Sequence, residues 1–372
     1  MKNFTNPQKP AQNRKVASKT NNTFNALLLC TLLLFTTKAL AQTTHIVNNN
    51  AGTAADFTDL QAAIDAAANG DIIHVQQSST SYGNITLNKE LILIGRSHSD
   101  PNYKSTVGTI FLADGASNSN IKGLNISNIQ DSFTTSNTIS NLAITDCFIS
   151  SITIGQAENY NNFLLQGNIM TSSIIIGAQT ANVLITNNIF TASSISFMMT
   201  DTLLFTNNIL SYLLGVSISN NTPDLLNISN SIFVVDYAFS QPVITLSGSG
   251  TFQIANSISY SYDATFSTLN FPTGSNITLT NVQENVNPLF TLRNGTPSSG
   301  TLADPNGTQF VPGVDDLTLQ AGSPVVDDGL YQGYNFKTFG TPTGIPSLKI
   351  DTYSPTVPKN GDLNVTITAK TN

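Results

Sequence analysis

The phrase Val183-Leu-Ile-Thr-Asn-Asn-Ile-Phe-Thr191 returns twenty residues later as Leu203-Leu-Phe-Thr-Asn-Asn-Ile-Leu-Ser211. In both copies apolar residues occupy every second position and the run ends on an Asn pair. Runs of this kind end at Asn128, Asp146, Gly167, Asn187, Asn207, Asn230, Asn256 and Asn281, in steps of 18, 21, 20, 20, 23, 26 and 25 residues. A second series of alternating apolar pairs lies 10 to 15 residues upstream of most of these ends: Ile152/Ile154, Ile174/Ile176, Ile195/Phe197, Val216/Ile218 and Ile244/Leu246. A period of two is the strand period, so each repeat carries at least two short strands joined by turns.

Repeats of this length narrow the architecture. Helical repeats need about 33 to 47 residues with a 3.6-residue period, and leucine-rich repeats need a helical segment in every unit. Neither pattern is present. The remaining fit is an all-β chain, each repeat forming one coil of a parallel β-solenoid, with every strand about 4.8 Å above its copy in the coil before. Eight coils then give roughly 34 Å of rod. Asn128, Asn187, Asn207, Asn230, Asn256 and Asn281 are expected to form a structural ladder. Each would sit at a tight turn, where Asn tolerates left-handed geometry and stacked amides hydrogen-bond along the rod.

A solenoid end exposes an unpaired edge and needs a cap. The segment Asp56-Phe-Thr-Asp-Leu60 leads into an amphipathic helix over 60–68, stopped by Asn69-Gly70. Strands follow at 72–75, 85–87, 91–94 and 109–112. The run FTDLQAAIDAAANGDIIHV, with YGNITLNKELILIGRS after it, resembles the opening of pectate-lyase-like right-handed parallel β-helix proteins. NPLFTL and DLTLQAGSPVVDDG are similar to the closing segment of exported bacterial members. The resemblance covers residues 57–329 and implies a right-handed parallel β-helix with a short N-terminal helical cap. The expected organisation is a signal peptide over 1–41, cap and first coils over 42–115, the β-helix over 116–330 and a closing segment over 331–372. That last segment contains a strand pattern at 363–368.

Composition then bears on location and partners. Basic residues scattered through 2–19, an apolar run over 26–35 and Ala39-Leu40-Ala41 read as an export signal with its cleavage site, so an extracellular or cell-surface location is expected. Ten apolar residues fall short of the roughly 20 that a membrane-spanning helix needs, so no transmembrane segment is expected in the mature chain. Beyond residue 41 the chain holds nine basic and 22 acidic residues, a net charge of −13, which argues against nucleic acid as a partner. Cys147 is the one cysteine left there, so no intrachain disulfide is expected.

Candidate chemistry is sparse. The lyases that the chain resembles use calcium-holding acids and an Arg or Lys base. Between Gly115 and Phe290 there is no Arg and only Lys122, which reads as a solvated side chain. A glycosidase needs two carboxylates at a defined separation. Eight acids lie in the same stretch: Asp131, Asp146, Glu158, Asp201, Asp224, Asp236, Asp263 and Glu284. Asp201 and Asp224 each stand six residues before a run end in consecutive coils, which sets them about 5 Å apart on one face if the coils are regular. They are the candidate Ca²⁺ site, against the plainer reading that each caps a turn. Tyr160, Tyr212 and Tyr237, expected in linking turns, are the candidates for stacking on sugar rings. Cys147 reads as an inert thiol, and His45, His74 and His98 are too scattered to form a metal set. The sequence therefore points to an exported, non-catalytic protein that binds extracellular polysaccharide or a surface protein. The alternatives are a divergent polysaccharide lyase or glycoside hydrolase, and a structural spacer.

Overall fold

A computed structural model describes residues 42–96, 104–132, 138–191, 194–199, 201–211, 216–220, 225–235, 242–262, 269–292, 316–324, 347–353 and 365–370. In these residues the chain winds as a right-handed parallel β-solenoid with one helix, Leu60–Ala66. Eleven parallel strands stack in a first column, from Thr44–Val47 to Ile277–Thr280. Their inward residues form a continuous apolar file, Ile73, Leu93, Ile121, Ile144, Leu165, Ile185, Phe205, Ile228 and Ile254, each paired in register with the next. All are at most 2% exposed. Burial of one face in every coil fixes the register, because a slip of one residue would turn each of these side chains to water.

The other side of the tube changes along its length. The seven-residue strand Phe148–Ile154 is a fork: its start pairs with Ile169–Met170 and its end with Ser173–Ile176. From there on two columns replace one. Register shows how the corner opens. The partners of Phe148 and Ile152, four residues apart, are Ile169 and Ile174, five apart, then Ile189 and Ile195, six apart, then Ile209 and Val216, seven apart. One residue is added per coil. The upstream apolar pairs seen in the sequence are the inward file of the third column, where Ile152, Ile174, Ile195 and Val216 stack, beside Ile154, Ile176, Phe197 and Ile218.

The second column is apolar on both faces. Met170, Phe190, Leu210 and Phe233 point into the tube. Their neighbours Ile169, Ile189, Ile209, Ile232 and Ile258 belong to a separate core outside it, which includes Phe290 and Leu317. A strand covered on both faces needs two adjacent apolar residues rather than alternation, which is why the phrase runs Asn-Asn-Ile-Phe. The strands Phe290–Leu292 and Asp316–Leu319 pair antiparallel and, through Phe290 and Leu317, pack on this flank of the rod. Further on, the strand expected at 363–368 is Val365–Lys370, antiparallel to Ser347–Tyr353.

The N-terminal edge is blunted locally. Asp56 accepts from Ile46 N–H at 2.7 Å, while the Asp56 and Phe57 N–H groups both donate to the Ile46 carbonyl. Another strand would need those edge groups. Asp59 caps the helix by accepting from Ala62 N–H, and the helix buries Leu60, Ala63 and Ile64. No described helix is long and apolar enough to cross a membrane.

Candidate binding face

The acids of the coils are placed by local structure. Asp131 falls on an inward position, between Leu112 and Ile154 in the register of the aliphatic file, and is fully buried. Its carboxylate accepts from the N–H groups of Gln156 and Ala157, both at 2.8 Å, from Gly155 N–H at 3.3 Å and from the Tyr160 hydroxyl at 2.8 Å. Glu158, also fully buried, accepts from Ser132. The corner over 155–158 is thereby tied to the coil below it. Gly155 (φ 73°) is required there, since a Cβ would come within 2.2 Å of Thr180 Oγ1. Asp146 lies at a run end with φ 52° and pairs with Lys122 at 3.8 Å. Glu284 accepts from Phe271 N–H.

Asp201 accepts from its own neighbour, at 2.7 Å from Thr202 N–H and 3.2 Å from Thr202 Oγ1. Asp224, Asp236 and Asp263 lie outside the described residues. Among the described residues no group of three or more His, Cys, Asp or Glu side chains is placed to hold a metal ion.

Tyr160 is not in a linking turn. It lies in the strand Asn159–Gln166 at 2% exposure and presents no ring face to a sugar. Burial, and the charge of Asp131 with the hydrogen bond to it, push its hydroxyl pKa well up. Tyr212 and Tyr237 lie outside the described residues. Cys147 is fully buried and its thiol is pushed up to about 12, chiefly by desolvation. His45 pairs with the buried Asp71 at 3.1 Å, near the N-terminal edge.

The asparagines separate into distinct sets. Asn187, Asn207, Asn230, Asn256 and Asn281 have φ between 46° and 56°, as the turn reading requires. Asn128 does not belong with them. It lies inside the strand Asn125–Asp131, pairs with Ser151 and takes no positive φ; the run end of that coil is Gly123, at φ 66°. The pattern Leu-Asn-Ile-Ser-Asn matched the phrase by alternation alone, in the wrong column.

Of the expected run-end ladder, Asn281 Nδ2 donates to Asn256 Oδ1 at 2.9 Å, while in the middle coils the stacked amides belong to the residue after the run end. Asn168 Nδ2 donates to Asn188 Oδ1 at 3.1 Å and Asn188 Nδ2 to Asn208 Oδ1 at 3.0 Å. Cys147 N–H donates to Asn168 Oδ1 below them, and above them Asn208 N–H donates to Ser231 Oγ. A second ladder runs along the exposed corner five residues before the run ends. There Asn141 donates to Asn118 at 2.8 Å and Asn162 to Asn141 at 3.0 Å, all three with φ near 60°.

Comparison of the chain with models of known protein families, with curated proteins and with solved structures finds no match.

Two outer faces remain beside the covered second column. On the third column Thr153, Ile175, Ser196, Ser217 and Thr245 stack in register and point away from the core. On the first column two outward files run in register. One is Leu164, Leu184, Leu204 and Asn227, and the other is Gln166, Thr186, Thr206 and Ser229. From residue 151 to residue 280, no described outward position on either face carries a charge. Sequence reasoning missed the first-column face because it weighed titratable and aromatic residues. The signal was present in the second and fourth letters of Val-Leu-Ile-Thr and Leu-Leu-Phe-Thr.

Proposed function

We propose that this protein is an exported, non-catalytic β-helix that binds extracellular glycan along its flank. The observation that carries the reading is the uncharged outer surface of the coils, built of hydroxyl, amide and aliphatic side chains, in a chain whose net charge beyond residue 41 is −13. An acidic protein that keeps charge off two continuous faces suits an uncharged partner, because a charged one would have to be desolvated with nothing opposite it. The described acids of the coils support a binding role, since Asp131, Glu158, Asp146, Asp201 and Glu284 are each engaged in holding a turn, a neighbouring coil or a loop. The resemblance of the opening and closing motifs to pectate-lyase-like proteins of the exported bacterial type agrees with an extracellular setting.

A glycan array carrying neutral and uronate-bearing oligosaccharides, followed by assays for reducing ends and unsaturated products, tests this reading. Retention without product supports it. Product formation that tracks the protein through purification moves the protein to the lyase or hydrolase class.

A further inference from the structure

We propose that the docking site is the four-coil strip centred on Leu184, Thr186, Asn187, Leu204, Thr206 and Asn207 on the outer side of the first column, and that its ligand is an uncharged oligosaccharide lying along the rod axis. This inference rests on the glycan-binding reading above and assigns it a place and a ligand class.

The first argument is an unmet hydrogen-bonding need. The side-chain oxygens of Asn187, Asn207 and Asn227, on three successive coils, are shielded from solvent and receive no hydrogen bond in the described structure. Asn187 is only 3% exposed. Its Nδ2 donates to the hydroxyl of the outward-pointing Thr186 at 2.9 Å, which places the amide on the outer side of the column. If the amide is turned over, its oxygen takes the Thr186 proton and its NH₂ is left instead. Either way one end of the group lacks a protein partner. A buried polar group in that state is satisfied by water or by a ligand from outside the chain, and a sugar hydroxyl, both donor and acceptor, suits either orientation.

The second argument is the character of the strip. Beside the Thr-Asn dyads runs an apolar file, in which Leu204 is 40% exposed, one of the three large apolar side chains most open to solvent among the described residues. A pyranose ring has an apolar C–H face and a polar rim, and the two files match them. The dyads recur once per coil, at 186–187, 206–207 and 229–230, with φ near 50° at each Asn. Coils rise by about 4.8 Å, close to the length of one sugar in an extended β-linked chain, so successive sugars meet successive dyads.

The third argument is charge and size. The last charged pair on this column is Lys122–Asp146, and the strip begins beyond it. A polyuronate finds no cation there. Two outward residues across and about four coils along, the strip covers on the order of 200 Å², far below the roughly 800 Å² per side of a stable protein interface. A folded partner or a second copy of the chain is correspondingly disfavoured, whereas a linear polymer gains strength by occupying repeated sites.

The test uses the full exported chain, with neutral β-linked hexose oligosaccharides of two and six units and a hexa-uronate as probes, read by calorimetry. Gly167 and Gly123 stand where Asn187 stands in other coils and share its positive φ, so Asn187→Gly and Asn207→Gly remove the amide without straining the turn. Expected are binding of the neutral hexamer well above the dimer, about fivefold weaker binding for each Asn→Gly change, and a further loss with Leu204→Ser. Ser196→Glu and Ser217→Glu on the third column should leave affinity unchanged, and circular dichroism should confirm the fold of every variant. Neutral-glycan binding that survives the strip variants but falls with Ser196→Glu overturns the assigned place while the glycan-binding reading stands. Selective binding of the uronate overturns the ligand class. Binding of none of the probes, nor of any glycan on the array, overturns both.

Discussion

The Tyr160 hydroxyl lies 2.8 Å from Asp131 Oδ1, across the interior from one column to another, with both residues at most 2% exposed. The register gives that Asp position to Leu112 one coil down and Ile154 one coil up. A carboxylate in an aliphatic file is tolerable because three N–H groups and a hydroxyl replace its water. Asp131→Leu should leave those N–H groups without an acceptor and lower stability by about 2–4 kcal/mol. Tyr160→Phe should cost about 1–2 kcal/mol. The double variant should show coupling when unfolding free energies from denaturant titration are compared; strict additivity would mean that the pair does not act together.

Asn187 and Asn188 are neighbours with opposite duties. Asn188 accepts from both the N–H and the Nδ2 of Asn168 and donates to Leu165 O, Thr186 O and Asn208 Oδ1. Asn188→Ala is expected to cost about 2–4 kcal/mol. Asn188→Ser should be milder, because Ser231 continues the same file. Asn187→Gly should change the melting temperature little. Equal losses at 187 and 188 would contradict the assignment of the ladder to the second Asn of each pair.

Asp71 confers a pH dependence at the N-terminal end. Burial would raise its pKa, but hydrogen bonds from Thr43 N–H, Ala68 N–H and His45 outweigh that and hold the carboxyl below its ordinary value. A depressed carboxyl pKa stabilises the fold above the unfolded value of about 3.9, and that contribution is lost as pH falls through the lower folded value. Melting temperatures of the wild type and Asp71→Asn should therefore differ at pH 6 and converge below about pH 4. A constant gap across that range would remove Asp71 from the account.

Cys147 should behave as a core residue. With its thiol pushed up to about 12 and no exposed surface, it should resist iodoacetamide at pH 8 and react once the chain is unfolded. Modification of the native protein at the rate of a free thiol would contradict the packing of that coil.

Phe290 marks the outer core. It is fully buried against the Ile file of the second column, so Phe290→Ala should cost about 3 kcal/mol or more and increase binding of a hydrophobic dye. Unchanged stability would mean that the strand pair of Phe290 and Leu317 does not seal that flank.

Much of the fold is legible in the sequence because the repeat writes the same burial pattern again and again. The inward files at Ile185 and Phe205, the third-column pairs such as Ile174/Ile176, the helix after Asp59 and the positive-φ turns at Asn187 and Asn207 follow from alternation and turn chemistry. Asn128 misleads because alternation has no memory of which column it belongs to. Asp131 and Tyr160 were opaque for a related reason. Whether a lone polar residue points inward depends on register with strands about 20 residues away, and their contact crosses the tube. The outer Ile file was visible as paired apolar residues, but what covers it comes from Phe290 and Leu317, far along the chain. Of the candidate site, the letters were plain and their significance was not, since Leu204 and Asn207 matter only when stacked on Leu184 and Asn187.

The central claim is that this chain holds glycan without altering it. Equilibrium dialysis of the full chain against a neutral β-linked hexasaccharide, with chain-length analysis of the recovered sugar, tests it in one measurement. The account predicts sugar concentrated on the protein side and recovered as intact hexasaccharide. Shortened or unsaturated sugar, or equal sugar on both sides of the membrane, would contradict it.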